Sequence, residues 1–349
     1  MPTPGPETHV RSRVRLLVGL LLGGGGVLAY LQFVGLGDVT TTLRDATPAV
    51  VAVVAVLVVV EGAVDGVGVW ASVRPLGRGL SGPESVKFAL AGDFFDIVSP
   101  AGSASSEPIM AQFIGTATET SYSEALGVRG VAKYVKSGGQ VFLSAAVGLL
   151  VLRGEASAPT VLTVLGAAIV VVLLLGVFVA LAGNLLQRAL IAVLEPIAGV
   201  VTAIVPGVDP DDGFVREAVG RFATRIAEFR DAPGLVALIV AGGVLEQAVV
   251  SVALWVLLTD LGATVALAPI FVVVPLPQAA TVVPIPASLG TYDVLLGGAL
   301  VLTTGVAGAT AAAAVVVFRG LSLLFGLSAG GFCAALLRGW DVRPATASG

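Results

Sequence analysis

The chain has 349 residues, of which 56% are apolar and only 12% charged, with a mean hydropathy of +1.00 and a formal net charge of −4. That is too little polar surface for a soluble domain of this length, and the thin, slightly acidic charge offers nothing to a nucleic-acid backbone. A single cysteine, Cys333, and a single histidine, His9, exclude an internal disulfide, a thiolate or imidazole metal cage, and histidine-assisted acyl transfer within the apolar segments.

The apolar runs are long and unbroken. A membrane barrel would instead show alternation over roughly 10-residue segments. The expected fold is therefore all-α: a polytopic helix bundle embedded in the cell membrane. Residues 1–13 form a tail whose Arg11 and Arg13, with Arg15, stand at the start of the first apolar segment, 14–34. By the positive-inside rule the tail is cytoplasmic. No cleavage site follows this segment, so it reads as a retained helix and not a signal peptide. A second helix, 48–73, returns the chain to Arg74 and Arg78.

Two short apolar pieces follow, 84–98 and 106–118, each below the ~20 residues that a span needs. The stretch after them, with Arg129, Lys133 and Lys136, reads as a basic loop before a helix at 138–152. Segment 160–182 comes back to Arg188. Charge parity makes 189–205 a shallow, interfacial segment. In 209–231, Val215, Val219, Phe222, Ile226 and Phe229 make one apolar stripe, so 189–232 reads as an amphipathic insert at the cytoplasmic face. A helix at 234–258, a second short pair at 266–274 and 292–304, and a last helix at 307–337 complete one transmembrane domain, 14–338. The tail, 339–349, is again cytoplasmic.

The two short pairs share a signature. Ser99-Pro100-Ala101-Gly102-Ser103-Ala104-Ser105-Ser106-Glu107-Pro108 and Pro284-Ile285-Pro286-Ala287-Ser288-Leu289-Gly290-Thr291-Tyr292-Asp293 both place a carboxylate seven residues after a proline, within small residues. Backbone freed from helical pairing at membrane depth is tolerated where it is buried in protein or lines a wet cavity. Two such breaks in corresponding halves point to a binding site between repeats. Both pairs are expected to be re-entrant and to form an inverted repeat, the first entering from the cytoplasm and the second from outside.

A charge at the bilayer centre costs at least about 2.5–3.5 kcal/mol, so each one retained needs a reason. Glu107 and Asp293 stand where a half-helix leaves N–H groups unpaired. Each can cap those groups, and an anionic headgroup could replace it there. Ser103, Ser106 and Ser288 would line the same breaks. Glu61 and Asp65, one turn apart, share a face. They could hold a proton between them and couple it to movement, or be balanced by Arg319. Asp93 and Asp96 form a lone DxxD pair better suited to hydrogen bonding at the adjacent break than to a metal site. Glu246 and Gln247 could add polar lining.

At these breaks the chain resembles the transmembrane, flippase-like domain of lysylphosphatidylglycerol synthases and their stand-alone prokaryotic relatives. Ser105-Ser106-Glu107-Pro108-Ile109-Met110 is similar to that family's Gly-Gly-Glu-Pro-x-Arg motif, with Met110 at the arginine position. The run 284–293 is similar to its Pro-x-Pro-Gly-Gly-x-Gly-x-x-Glu motif, with Asp293 for glutamate. Arg319 resembles the arginine of its final helix. The resemblance implies the movement or handling of a polar lipid, a phospholipid or a polyprenol-linked sugar, with Glu107, Asp293 and Arg319 at the headgroup. It implies no cofactor, and no stretch of about 150 polar residues is available for a synthase domain. Without a complete catalytic signature, translocation is preferred to an intramembrane enzyme that would use Asp93, Asp96 and Glu107. A subunit presenting lipid to a separate transferase is the third reading.

Overall fold

The structure is a computed structural model that describes residues 28, 32, 35–99, 103–152, 158–181, 220, 229, 231–278 and 288–337. The side chains of 103–105, 158 and 175–181 are outside the description. So are residues 100–102 and 279–287 of the two breaks, most of segment 14–34 and nearly all of the insert 189–232.

The described chain is helical throughout. A short helix absent from the expected elements, α1 (Leu36–Asp45), precedes α2 (Pro48–Val73). The first broken pair is α3 (Gly82–Val98) and α4 (Ser103–Thr118), and α5 (Tyr122–Val151) and α6 (Ala158–Leu181) follow. After α7 (Pro233–Asp260) comes the second broken pair, α8 (Leu267–Val273) and α9 (Thr291–Thr304). The chain ends in α10 (Gly308–Phe325), carried by a π turn at Gly326–Gly330 into α11 (Gly331–Ala335). Four of these stretches are long and apolar enough to cross a membrane: Pro48–Val73, Tyr122–Val151, Pro233–Asp260 and Gly308–Ala335. The protein is a multi-pass membrane protein.

Local chemistry sets the boundaries. Prolines stand in the first turns of α2, α3 and α7, where a missing N–H costs nothing. Capping boxes open α3 (Ser81 with Glu84) and α5 (Ser121 with Glu124). The expected basic loop is one correction: Arg129, Lys133 and Lys136 lie on α5, which runs unbroken from residue 122. Their steps of four and three put all three on one helical face.

Outward faces carry exposed Val56, Leu150, Val171, Leu174, Leu324 and Phe332, as lipid-facing helices should. Inside are two large apolar cores, one toward each end of the long helices. One core joins the first pair to Val69 and Val73 of α2, Val128 of α5, Ile239 of α7 and Ala334 of α11. The other joins the second pair to Val54 and Val58 of α2, Ala145 of α5, Leu254 and Leu257 of α7, and Ala311 and Val315 of α10. The two broken pairs therefore occupy opposite ends of one four-helix frame. Phe229, the one described member of the amphipathic stripe, is 4% exposed and belongs to the first of these cores.

Candidate functional site

Between the two apolar cores lies a polar layer. Glu61 of α2, Lys136 of α5, Glu246 of α7 and Arg319 of α10 each sit near the middle of a spanning helix, where an ionised side chain is most costly. Lys136 lies between two carboxylates, donating to Asp65 at 2.6 Å and pairing with Glu246. It thereby ties α2, α5 and α7 together by charge.

The same face of α5 continues with neutral donors. Gln140 Nε2 donates to the carbonyl of Gly243 at 2.7 Å, and its Oε1 accepts from Gln278 Nε2 at 2.9 Å. Gln247 Nε2 donates to Ser144 Oγ and to the carbonyl of Phe271, both at 2.7 Å. The second contact holds the seven-residue α8, whose Phe271 carbonyl also accepts from Ser144 Oγ at 3.4 Å.

A cavity of about 230 Å³ opens in this layer. Glu61, Asp93, Asp96, Glu246 and Arg319 bring charge to its wall, and Gln140, Gln247 and Gln278 bring amides. Both broken pairs reach it. The first contributes Asp93, Asp96 and Ile97 from the end of α3, and the second contributes Ser288 and Tyr292 at the start of α9. Glu61 and Asp93 have no hydrogen bond or ion pair among the described residues. The wall therefore carries four carboxylates against one guanidinium.

Asp293 behaves as the sequence leads one to expect of a carboxylate beside a break. Its Oδ2 accepts from the N–H of Gly290 at 2.9 Å, closing the first turn of α9, and its Oδ1 accepts from Arg319 Nε at 3.2 Å. The arginine also lies over the Tyr292 ring, 4.6 Å from its centre. Gly290 has φ +78°, a conformation that glycine adopts without strain, and Ser288 has φ +50°.

Glu107 departs from expectation. Its carboxylate accepts two bonds from Arg129, at 2.9 and 3.0 Å, and a third from Lys133 at 2.7 Å. It is not part of the cavity wall. Met110, where the resembled motif has arginine, is 1% exposed in the apolar core, so cations for Glu107 come from α5 instead. Ser106 donates to Asp96 and is likewise off the wall. Asp96 thus bonds across its own break, to Ser106.

Asp293 pairs with Arg319 and Lys136 with Asp65, while Glu61 shares the cavity wall with Arg319. Of the two acids, Glu61 reaches the cavity wall and Asp65 does not. Glu246 and Gln247 line the cavity as expected. Arg129, Lys133, Lys136, Gln140 and Gln278 were not foreseen as part of the site. Among the described residues, no three His, Cys, Asp or Glu side chains stand close enough to hold a metal ion.

No curated protein and no solved structure matches the chain. Residues 16–330 match the family model described as the lysylphosphatidylglycerol synthase TM region, and the chain belongs to that family.

Proposed function

We propose that this protein moves or handles a polar-headgroup lipid in the cell membrane, a phospholipid or a polyprenol-linked sugar. The headgroup passes through the polar layer while its chains stay among the apolar outer faces of the helices. The observation that carries this reading is the cavity of about 230 Å³ at the middle of four apolar spans, walled by charged and amide side chains of those spans and by polar residues of both broken pairs. A polar wall at that depth is too costly to keep without a polar occupant, whether water, ion or headgroup.

The composition of the wall refines the substrate class. Four carboxyl groups, one of them (Glu246) paired with Lys136, stand beside one guanidinium and offer hydrogen-bond donors and acceptors to a neutral, zwitterionic or cationic headgroup. Arg319 and Ser288 contact the headgroup directly. Asp293 acts through Arg319, and Glu107 holds the first pair in place. Glu61 is the residue placed to exchange a proton with the occupant, with Asp65 already neutralised by Lys136. The termini and the basic turn at Arg74 and Arg78 are cytoplasmic.

The test is headgroup accessibility of fluorescent lipids in proteoliposomes, with wild type set against Glu61→Gln and Asp293→Asn. Faster bleaching by an impermeant reductant in wild type, with most of the gain lost in both variants, is the expected result. No acceleration with zwitterionic, cationic or sugar-linked lipids overturns translocation and leaves presentation of lipid to a separate transferase as the better reading.

A further inference from the structure

The two breaks are anchored by the same device in different strengths. Each carries a carboxylate seven residues after a proline, and each carboxylate is paired with an arginine on a long helix. At the first, Glu107 receives three hydrogen bonds from two cations of α5, two of them from the planar fork of Arg129. Bidentate arginine–carboxylate pairs are the strongest and most directional of such contacts. At the second, Asp293 receives one bond from a cation, at 3.2 Å, and spends its other oxygen on the N–H of Gly290.

Their positions differ too. Arg319 and Tyr292 form part of the cavity wall, so an occupant of the cavity meets the second ion pair directly. Glu107 and Arg129 lie off the wall, and Ser106, next to Glu107, donates to the wall residue Asp96.

We infer that Arg129 is the positioning residue of the first broken pair, as Arg319 is of the second, and that the two ion pairs are unequal latches of which the second opens first. The inference rests on the passage proposed above for its purpose, but the latches themselves are tested without any lipid. An occupant that draws Arg319 away from Asp293 frees α9 at one end of the frame. The first pair stays closed at the other end, held by a carboxylate the occupant does not touch. Passage then proceeds from a state open at one end only, which keeps the polar layer from becoming a leak.

The experiment uses the full chain in a Cys333→Ala background, with single cysteines at Ser106 or Ser288, which are 1% and 7% exposed. The rate of thiol modification reports how often each break opens. In the otherwise wild-type protein, position 288 reacts faster than position 106. Arg319→Gln raises the rate at 288 by about tenfold or more, equivalent to about 1.4 kcal/mol, and leaves 106 within about twofold. Arg129→Gln does the reverse. The double variant Glu107→Arg with Arg129→Glu, which remakes the pair with charges exchanged, brings position 106 back toward its original rate. That rescue separates a latch from a residue needed merely for folding, and it remains informative if Arg129→Gln alone is not monodisperse. Equal acceleration at both sites in either single variant, or no rescue by the exchange, overturns the inference.

Discussion

The two broken pairs carry the same signature in sequence and are held in different ways. The first has two substantial legs, of 17 and 16 residues, anchored from outside by charge. Arg129 and Lys133 reach Glu107 from α5, and α3 packs closely on α2 and on the π turn after α10. The second has legs of 7 and 14 residues and is anchored largely by neutral hydrogen bonds. Gln247 holds the carbonyl of Phe271, Gln278 reaches Gln140, and Asp293 caps its own helix before it meets Arg319. A proline-marked break with a trailing carboxylate thus specifies where a helix is interrupted, while neighbouring helices decide how tightly the interruption is held.

The sharpest way to break this contrast is to remove the charge that lies between the two ends. Lys136→Met leaves Asp65 and Glu246 without their shared cation, and stripping one partner from a buried ion pair costs about 3–5 kcal/mol. Thermal unfolding in detergent should fall accordingly. Asp65→Asn with Glu246→Gln added to the same variant should recover much of the loss, since the uncompensated carboxylates are then gone.

A smaller effect is expected from close packing at the first pair. A Cβ at Gly66 would come within 2.6 Å of Val86 Cγ2 and 2.9 Å of Val86 Cα, so Gly66→Ala must push α3 from α2. Overpacking of this kind costs about 1–3 kcal/mol. At Gly298 of α9 an added Cβ would meet nothing within 4 Å, and Gly298→Ala should be neutral or stabilising by about 0.5–1 kcal/mol. Equal destabilisation by both in thermal unfolding would contradict the difference in packing.

Gln247→Leu should act on the second pair, removing the donor to Phe271 and Ser144 at a cost of about 1 kcal/mol, in line with interhelical hydrogen bonds in membranes. Hydrogen exchange should rise in α8 and leave α3 unchanged.

The smallest effect belongs to the cap that opens α3. Ser81 donates its N–H to Glu84, and this bond, with a second from the hydroxyl, holds the Glu84 carboxyl below the usual carboxylate range. A carboxyl depressed in the folded state stabilises above its unfolded pKa, and that contribution is lost as pH falls through the folded value. Glu84→Gln should therefore lower the unfolding temperature slightly at neutral pH and not at all in acid below both values.

Much of this architecture is legible in the sequence. The apolar runs mark the four spans to within a few residues except at the start of α5, and the prolines at 100 and 286 fall in the gaps between α3 and α4 and between α8 and α9. Asp293 and Arg319 stood out because a charge in an apolar segment needs a reason. The charge network around α5 was missed because Arg129, Lys133 and Lys136 read as positive-inside loop residues. Their spacing, continued by Gln140 and Ser144 at steps of four, was the available signal of a single helical face. Which cation serves which carboxylate depends on helices more than twenty residues apart in sequence, as with Glu107 and Arg129, and no local pattern encodes that choice.

The most direct measurement is the sidedness of the two pairs in a bilayer. Single cysteines at Thr116, in α4, and at Thr264, before α8, both exposed, are placed in a Cys333→Ala background and treated with a membrane-impermeant maleimide from each face. The expected result is labelling of position 116 only from the cytoplasmic face, the side of Arg74 and Arg78, and of position 264 only from the opposite face. Labelling of both from the same face would contradict two broken pairs meeting from opposite ends at one polar layer.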